Sequence, residues 1–375
     1  MSGIYIHIPY CKQACHYCDF HFSTNASQMQ EMVDMICKEL ILRKNYLPSE
    51  NPIKTIYFGG GTPSLLSLAQ MDQILEVIAK HYSLALKEMT LEANPDDLQP
   101  SKLLELKALG FDRLSIGIQS FDEQILKFYN RAHNAKESMH AIALAKQAGF
   151  QKLSVDLIYG FPSPDHQIWK KDLEIALGQD PGHISSYCLT VEPKTALGNW
   201  TKKGIFQPAS EDFAAGQFEI LQDTMDQSGY IQYEISNFAR EEAFALHNTN
   251  YWKAIPYLGI GPSAHSFDGQ DRGSNRAHNA HYIKNLQQNQ PVFEVDSMIP
   301  MDLLNEYILT SIRTIWGTDL AYITERFDLD LLKVNQEILN KLTEEGLVEN
   351  LKNHLVLTRR GKLLADSIAA SLFIS

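Results

Sequence analysis

The sequence has no apolar run long enough to cross a membrane, and its amino terminus has no basic segment followed by an apolar one. It also has few cysteines. Three of the five are closely spaced, which suits a reducing cytoplasm better than a framework of disulfides. These absences predict a cytoplasmic protein without a membrane span or a secretory signal.

Basic charge is scarce as well. The chain has 33 Lys and Arg against 45 Asp and Glu, a formal net charge of -12, and no run of basic residues. Because binding to nucleic acids depends largely on neutralising phosphates, we expect no nucleic-acid partner. Repeats and low-complexity linkers are absent too, and 375 residues with 44% hydrophobic content predict two folded domains.

The first informative stretch covers residues 3–20. Ile4, Ile6 and Ile8 alternate with Tyr5 and His7. This alternation predicts a strand that has its isoleucines in a core and its tyrosine and histidine on the other face. A proline ends the strand, and a loop with three cysteines follows.

Cys11, Cys15 and Cys18 have the spacing CxxxCxxC. Three thiolates can hold three irons of a [4Fe–4S] cluster and leave the fourth iron open for a small chelating cofactor. A zinc site would want a second cysteine pair, and a thioredoxin-like disulfide does not explain the third thiol. Three buried structural thiols are the plain alternative. Cys37 and Cys188 are predicted to be ordinary buried thiols.

Strands and helices alternate through the first half of the chain. We predict a first strand from residue 3, further strands at 54–58, 89–93, 113–118, 153–159 and 183–189, and helices at 28–44, 100–109, 122–129, 135–148 and 166–177. Repeating βα units predict a parallel sheet, and six units rather than eight predict an incomplete (β/α)6 barrel of the TIM type. Functional residues of such barrels gather at the carboxyl edge of the strands.

The predicted strand ends carry glycines and polar side chains. The second strand ends in residues 59–63 (GGGTP), where glycines let the backbone approach a ligand and offer N–H groups to it. The next strands carry Glu92, Gln119 and Asp156, and Arg131 lies in a helical connection. Each residue alone is more simply a solvated or core polar group, but their joint placement predicts a site that binds charged groups or hydroxyls.

A second informative stretch, HNTNYW, covers residues 247–252. His247 beside Tyr251 and Trp252 offers an axial ligand for heme iron and flat faces for a porphyrin. From the residues alone, a capped turn with core aromatics is the simpler interpretation.

The character of the sequence changes near residue 290. Helices are predicted at 302–314, 319–327, 329–345 and 360–373, with short strands at 347–349 and 354–357. We therefore predict a barrel domain at 1–285 and a small α+β, winged-helix-like domain at 286–375. Acidic residues accompany these helices, and we interpret this domain as a lid or docking unit.

The cysteine motif after a first strand, with Tyr17 before the last cysteine, resembles the radical S-adenosylmethionine (SAM) superfamily. The flanking IYIHIPYC and CDFHF are similar to the anaerobic coproporphyrinogen III oxidase family, and within it to the heme-chaperone (HemW-like) branch. The resemblance implies a radical SAM barrel in which a [4Fe–4S] cluster on the three cysteines holds SAM. It also implies cofactor-binding roles for Tyr5, Tyr17, Gly60, Gly61, Thr62, Glu92, Gln119, Arg131 and Asp156.

Two functions from different classes fit this family. An oxygen-independent coproporphyrinogen III oxidase cleaves SAM and decarboxylates a porphyrinogen oxidatively. A heme chaperone keeps the cluster and SAM but carries finished heme to acceptors such as respiratory enzymes. A radical SAM enzyme with another substrate is a weaker third alternative.

Three features favour the carrier. The oxidase pattern continues to CxxxCxxCxC, but Phe20 stands where the fourth cysteine would be. The oxidase has a long segment before its first strand, whereas this strand begins at residue 3, and HNxxYW distinguishes the heme-chaperone branch. The resemblance thus implies heme contacts for His247, Tyr251 and Trp252, heme-accepting partner proteins, and membrane contact only through such a partner. We expect a carrier rather than an enzyme, and assign no catalytic residue.

Overall fold

A computed structural model describes residues 2–48 and 50–374 of the chain. Its strands are β1 (Ser2–Ile8), β2 (Ile53–Gly60), β3 (Leu84–Ala93), β4 (Arg113–Gln119), β5 (Lys152–Tyr159), β6 (Gly182–Cys188), β7 (Ile231–Glu234), β8 (Asn237–Ala239), β9 (Tyr257–Ile260), β10 (His265–Phe267), β11 (Arg272–Asn275), β12 (Phe293–Asp296), β13 (Thr318–Asp319), β14 (Val348–Leu351) and β15 (His354–Leu357). Its helices are α1 (Met29–Leu42), α2 (Leu68–His81), α3 (Pro100–Ala108), α4 (Glu123–Phe128), α5 (Ala135–Gln147), α6 (Gln167–Gly178), α7 (Ala196–Lys202), α8 (Glu211–Gln227), α9 (Leu246–Trp252), α10 (Asn279–Gln287), α11 (Pro300–Ile312), α12 (Leu320–Phe327), α13 (Leu331–Val334), α14 (Gln336–Glu344) and α15 (Ala365–Ser371).

Six parallel strands, β1 to β6, lie side by side in the order of the chain. At least one helix joins each of them to the next, which confirms the predicted α/β fold with a parallel, barrel-like sheet. Because the strands run in one direction, their carboxyl ends meet at one edge of the sheet. The residues that follow those ends are therefore brought together.

In β1, the alternation of residue types places apolar and polar side chains on opposite faces of the strand. Ile4, Ile6 and Ile8 are fully buried in the main core, as the pattern predicts. Tyr5 and His7 lie on the other face, where Tyr5 Oη is 3.1 Å from His7 Nδ1. One face of β1 therefore stabilises the core, while the other carries polar contacts inside the curved sheet.

The sheet is larger than the sequence predicts, with twelve strands in the order β12-β11-β10-β9-β1-β2-β3-β4-β5-β6-β8-β7. β9 runs parallel to β1, and β8 runs antiparallel to β6. These additional strands have only three or four residues, too few for a recognisable alternation. Within the described residues the sheet keeps two edges, as an incomplete barrel does.

Polar side chains define where several covering helices begin. At the start of α2, the Ser67 hydroxyl accepts a hydrogen bond from the Gln70 backbone N–H, and the Gln70 side chain accepts one from the Ser67 backbone N–H. Asn134 and Glu137 form the same capping box at the start of α5. Such caps satisfy backbone N–H groups that a helix leaves free, and so fix the connections to the strand ends.

A second apolar core begins at Leu304 and belongs to the carboxyl-terminal unit. It contains α11 to α15 and a small sheet in the order β13-β15-β14, in agreement with the predicted α+β unit. The helix predicted at 329–345 is divided at Asn335 (φ -101°, ψ 23°), and the helix predicted at 360–373 begins as a 3₁₀ turn, Gly361–Leu364. Strand β12 still pairs with β11 in the large sheet, and the division at residue 285 stays a prediction.

Ion pairs join the carboxyl-terminal unit to the barrel. Arg313 lies 3.2 Å from the Glu234 carboxylate, and Arg359 pairs with Asp223 on α8. No helix in the described ranges combines the length and the apolar character needed to cross a bilayer.

Candidate cofactor site

The loop after β1 carries Cys11, Cys15 and Cys18. All three thiols are free of disulfides and partly exposed. Backbone hydrogen bonds hold the loop, since Cys11 N–H donates to Ser23 O at 3.0 Å and Cys18 N–H donates to Cys15 O at 3.2 Å. All three cysteines line the same cavity.

The donor set of this loop suits a cluster better than a single ion. In the described part of the chain, no group of three His, Cys, Asp or Glu is close enough to hold one metal ion. A [4Fe–4S] cluster does not require such closeness, because each thiolate binds a different iron. Burial raises the pKa of the Cys11 thiol and raises that of Cys18 to about 11, so iron binding would displace their protons. The residues present fit the predicted cluster.

The turn at residues 59–63 packs against the cysteine loop. Gly61 N–H donates to Ile8 O at 2.9 Å, and Thr62 N–H donates to Tyr10 O at 2.7 Å. A Cβ on Gly61 would lie 2.6 Å from Tyr10 O, so a side chain does not fit there. The expectation that this turn offers its N–H groups to a ligand is wrong for these two residues, because the protein uses them itself.

Glu92 lies near the end of β3, beside that turn. Its carboxylate accepts hydrogen bonds from Tyr57 Oη at 2.7 Å and from Gly60 N–H at 3.2 Å. Burial raises its pKa to about 7, and the charge of Asp156 acts in the same direction. The ionised form of a carboxylate in such surroundings is stabilised most by a ligand that brings positive charge or hydroxyl groups.

Strand β4 is irregular where it reaches the cavity. Its register with β5 shifts between Ile116 and Gln119, and Gln119 has a φ of 68°, a left-handed conformation that is uncommon for a residue with a Cβ. The neighbouring Asp156 accepts a hydrogen bond from Ser115 Oγ at 3.2 Å, and burial raises its pKa to about 6. Such a conformation persists where the surrounding structure enforces it. Because eight other non-glycine residues of the described chain also have a positive φ, this observation alone assigns no function to Gln119.

Arg131 joins the cysteine loop to the strand ends. Its Nη1 lies 3.4 Å from Cys15 Sγ and 3.3 Å from Tyr17 Oη. Its Nη2 donates to Asn94 Oδ1 at 2.6 Å and to Gly117 O at 2.8 Å. Among the described residues, the buried Nε has no hydrogen-bond partner. Arg131 lines the cavity, and its positive charge fits a ligand carboxylate, such as that of the methionine part of SAM.

These groups line a cavity of about 1460 Å³ at the carboxyl edge of the strands. The cavity brings together most of the predicted site residues: Cys11, Cys15, Tyr17, Cys18, Gly60, Gly61, Thr62, Glu92, Gln119, Arg131 and Asp156. Tyr5 lies behind this lining, with its ring stacked on Tyr57 at a centroid distance of 6.0 Å. The volume exceeds that of an ordinary small-molecule pocket and leaves room for a ligand besides SAM.

Other walls of the cavity were not predicted from the sequence. Strand β6 contributes Tyr187 and Cys188, and the carboxyl-terminal unit contributes Arg360 and Lys362. Cys188 is exposed, so the prediction of a buried thiol is wrong there, whereas Cys37 is buried as predicted. Tertiary packing brings these residues to the cavity, and no local sequence pattern signals it.

The segment HNTNYW forms α9, and its histidine is enclosed. His247 is 1% exposed. Its Nδ1 lies 2.8 Å from Thr55 Oγ1, and its Nε2 lies 2.8 Å from Tyr251 Oη. The ring stacks on Tyr57 at 5.0 Å, and burial lowers its pKa to about 3. The imidazole is therefore neutral, with both nitrogens engaged.

Helix α9 is anchored near the amino ends of the strands. Glu88 accepts the N–H of His247 at 2.9 Å and pairs with the buried Arg113, the first residue of β4, at 2.9 Å. The described cavity lining includes Asn248 but neither His247, Tyr251 nor Trp252. The structure thus separates the two predicted groups of residues, with the cysteines at one end of the strands and the histidine at the other.

Residues 5–173 match the model of the Radical SAM superfamily, and residues 300–364 match that of the HemN C-terminal domain. Two similar curated proteins are both called heme chaperone HemW. The protein from Bacillus subtilis is 33% identical over 98% of each chain, and that from Mycobacterium tuberculosis is 32% identical over 99% of this chain and 94% of its own. Coproporphyrinogen III oxidase (HemN) from Escherichia coli has the same fold, with a TM-score of 0.86 at 21% identity over 99% of this chain and 90% of its own.

Proposed function

The chain belongs to the heme chaperone HemW family of the radical SAM superfamily, and on this basis we propose that it binds heme and delivers it to acceptor proteins such as respiratory enzymes. The observation that carries the proposal is a similarity to heme chaperones over 98% of the chain, both domains included. The superfamily implies a [4Fe–4S] cluster and SAM as resident cofactors.

We assign the cluster to Cys11, Cys15 and Cys18. SAM is assigned to the residues around them: Tyr17, Gly60, Gly61, Thr62, Glu92, Gln119, Arg131 and Asp156. When bound, such a cluster presents an open iron to SAM and supplies an electron to it. The chain itself provides the guanidinium of Arg131 for a carboxylate and Glu92 for an amino or hydroxyl group, while Tyr5 supports Glu92 indirectly through Tyr57.

Phe20 supports a carrier rather than an oxidase. This residue stands where the oxidase pattern has a further cysteine, and in the structure it lines the cavity and is 76% exposed. It offers a flat apolar face to a porphyrin and no additional thiolate. An exposed aromatic ring of this size costs free energy in water, which a flat apolar ligand would recover.

For heme itself, we propose contacts with His247, Tyr251 and Trp252. Since Thr55 and Tyr251 occupy the two ring nitrogens of His247, ligation of heme iron requires one nitrogen to exchange its protein partner for the metal. Heme binding through this residue is therefore coupled to the loss of one of these two hydrogen bonds.

The proposal is tested on anaerobically reconstituted protein. We expect saturable heme binding, seen as a Soret band, and transfer of that heme to heme-depleted respiratory membranes. With coproporphyrinogen III, SAM and a reductant, we expect no protoporphyrinogen. Multiple turnovers to that product would restore the oxidase alternative.

The heme contact is tested separately with His247→Ala. We expect weaker heme binding while the cluster is retained, because the cysteines lie at the other end of the strands. Tyr251→Phe is the companion variant rather than a neutral control, since it alters a proposed heme contact and removes one hydrogen bond from the ring but leaves the imidazole. Equal heme affinity in all three proteins would place the heme site elsewhere.

A further inference from the structure

One wall of the cavity comes from the carboxyl-terminal unit. It consists of the 3₁₀ turn Gly361–Leu364 and the first residues of α15. The barrel provides the cysteine loop and the strand ends, so the cavity lies between the two domains. A ligand that fills it contacts both.

Lys362 is half-buried in this wall. Its Nζ donates to Gln232 Oε1 at 3.2 Å, an oxygen that also accepts a bond from Gln222 Nε2 at 3.1 Å. Within residues 2–48 and 50–374, no carboxylate lies within ion-pair distance of this ammonium. An ammonium carries three donors, so most of its hydrogen-bonding capacity is unused. Burial, followed by the charge of Arg359, lowers the pKa of Lys362 to about 8.

The other cations of the wall are better satisfied. Arg313 pairs with both Glu234 and Asp366, so its charge is balanced within the protein. Arg360 is exposed and donates to Glu345 O at 3.3 Å. Lys362 differs from both because no carboxylate of the described residues forms a direct ion pair with it, and the buried Glu234 acts on its charge only from a longer distance. Binding of an anion would supply the missing direct partner.

Apolar side chains adjoin the lysine. Leu363 and Leu364 follow it in the chain, line the cavity and are exposed, as is Phe20 on the cysteine loop. The cavity also has acidic residues. Those of α8, together with Asp19 and Asp366, are solvent-exposed, so water and salt screen their charge, whereas Glu192 is half-buried. Glu92 and Asp156 belong to the strand ends that we assign to SAM. The cavity therefore combines apolar surfaces with a desolvated cation.

We propose that Lys362 binds a propionate carboxylate of heme and that the porphyrin ring lies in the cavity against Phe20, Leu363 and Leu364. The inference rests on the proposed function, and it adds which part of the heme the carboxyl-terminal unit recognises. A flat apolar body with carboxylates at one side matches the pairing of these surfaces with the ammonium. Helix α9 reaches the same cavity through Asn248, so heme held there adjoins the helix of His247.

The test compares heme with its dimethyl ester, in which both carboxylates are capped. Both ligands are titrated into cluster-loaded, full-length protein and followed by the Soret band. The variants are Lys362→Gln and, as matched control, Lys341→Gln, which removes an exposed lysine of the same unit. Lys362→Arg tests whether another cation restores binding.

We expect the wild type to prefer heme over the ester roughly tenfold or more, the range of a charge-assisted hydrogen bond. Lys362→Gln should lower this preference about fivefold or more by weakening heme binding alone, and Lys362→Arg should restore most of it. Lys341→Gln should behave as the wild type. If Lys362→Gln lowers the melting temperature, Lys362→Met keeps the packing of the aliphatic stem and is measured instead.

The outcomes separate the two proposals. A wild type that binds heme and ester equally, or a Lys362→Gln protein that keeps the full preference, would overturn the role of Lys362 and leave the heme chaperone standing. A wild type that binds neither ligand would overturn the heme-carrier proposal itself.

Discussion

Polar and charged side chains lie at both ends of the parallel strands, but the two ends differ in how far the protein itself supplies their hydrogen-bond and ion-pair partners. At the carboxyl edge, Cys11 and its partner cysteines are partly exposed, and Arg131 has a buried Nε without a partner among the described residues. At the amino edge, both nitrogens of His247 are hydrogen-bonded and Glu88 is paired with Arg113. The first end is open for ligands. At the second, the protein itself occupies both nitrogens of the imidazole, although Thr249 Oγ1 and Trp252 Nε1 on the same helix have no partner among the described residues.

This difference teaches how to weigh a motif against its surroundings. A polar group that binds a ligand must have capacity left after folding, whereas a buried polar group with all its partners stabilises the fold. By that criterion the carboxyl edge is a preformed site. The histidine of α9 is a structural support first, and it becomes a ligand only if its partners change.

The largest effect should come from the cysteines at the carboxyl edge. Replacing Cys11, Cys15 or Cys18 singly by Ala should abolish the cluster, because a cubane with only two protein ligands is not held. The measurement is iron content and cluster absorbance after anaerobic reconstitution.

Cys188→Ala provides the control at the same cavity, since this thiol is also exposed there but lies outside the motif. It should keep the full iron content. Full iron in all three motif variants would refute the assignment of the cluster.

The next effect concerns the amino edge. His247→Ala should lower the free energy of unfolding by about 3 kcal/mol, because it opens a cavity and leaves Thr55 and Tyr251 without their common partner. Tyr251→Phe should lower it by only about 1 kcal/mol, since one hydrogen bond is lost. Urea denaturation of the ligand-free protein measures both values. If His247→Ala leaves the free energy of unfolding unchanged, this end is not a structural support.

The role of the carboxyl edge can also be tested by the pH dependence of SAM binding. Because the pKa of Glu92 is raised to about 7, lowering the pH through that value protonates the carboxylate and removes the negative charge that we assign to the SAM site. SAM affinity should fall by up to about tenfold per pH unit below 7, one proton being displaced for each SAM bound. Calorimetric titration between about pH 7.5 and 6 measures this slope. Glu92→Gln should bind SAM weakly with a slope that is smaller by this one proton, and an equal slope in the variant would assign the proton to another group.

The smallest effect concerns the strained residue on the cavity wall. Gln119→Gly and Gln119→Ala both remove the side chain that we assign to SAM, so both should weaken SAM binding. Only glycine accepts the φ of 68° without cost, and the glycine variant should therefore be more stable than the alanine variant by about 1 kcal/mol. Thermal melting of the two variants measures the difference, and equal stabilities would show that the backbone relaxes.

The carboxyl edge was largely predictable from the sequence, for a physical reason. The three cysteines share one short loop, and parallel strands of known order collect Glu92, Gln119 and Asp156 at one edge. Both conclusions need only local patterns and the direction of the strands.

The amino edge and the far wall of the cavity were not predictable in this way. The partners of His247 come from other parts of the chain, Thr55 in β2 and Glu88 in β3, so its burial depends on tertiary packing. Lys362 reaches the cavity only because the second domain docks on the barrel. The short strands β7 to β12 were not predicted, because three or four residues are too few to show an alternation of apolar and polar side chains.

The backbone bonds from Gly61 to Ile8 and from Thr62 to Tyr10 make the turn after β2 and the cysteine loop a single scaffold. Substitutions in this turn that aim at an altered nucleoside cofactor would therefore also disturb the cysteine loop, to which we assign the cluster. Gln119 and Asp156, on β4 and β5, are the better starting points for such engineering, because they can be exchanged while that scaffold is left intact.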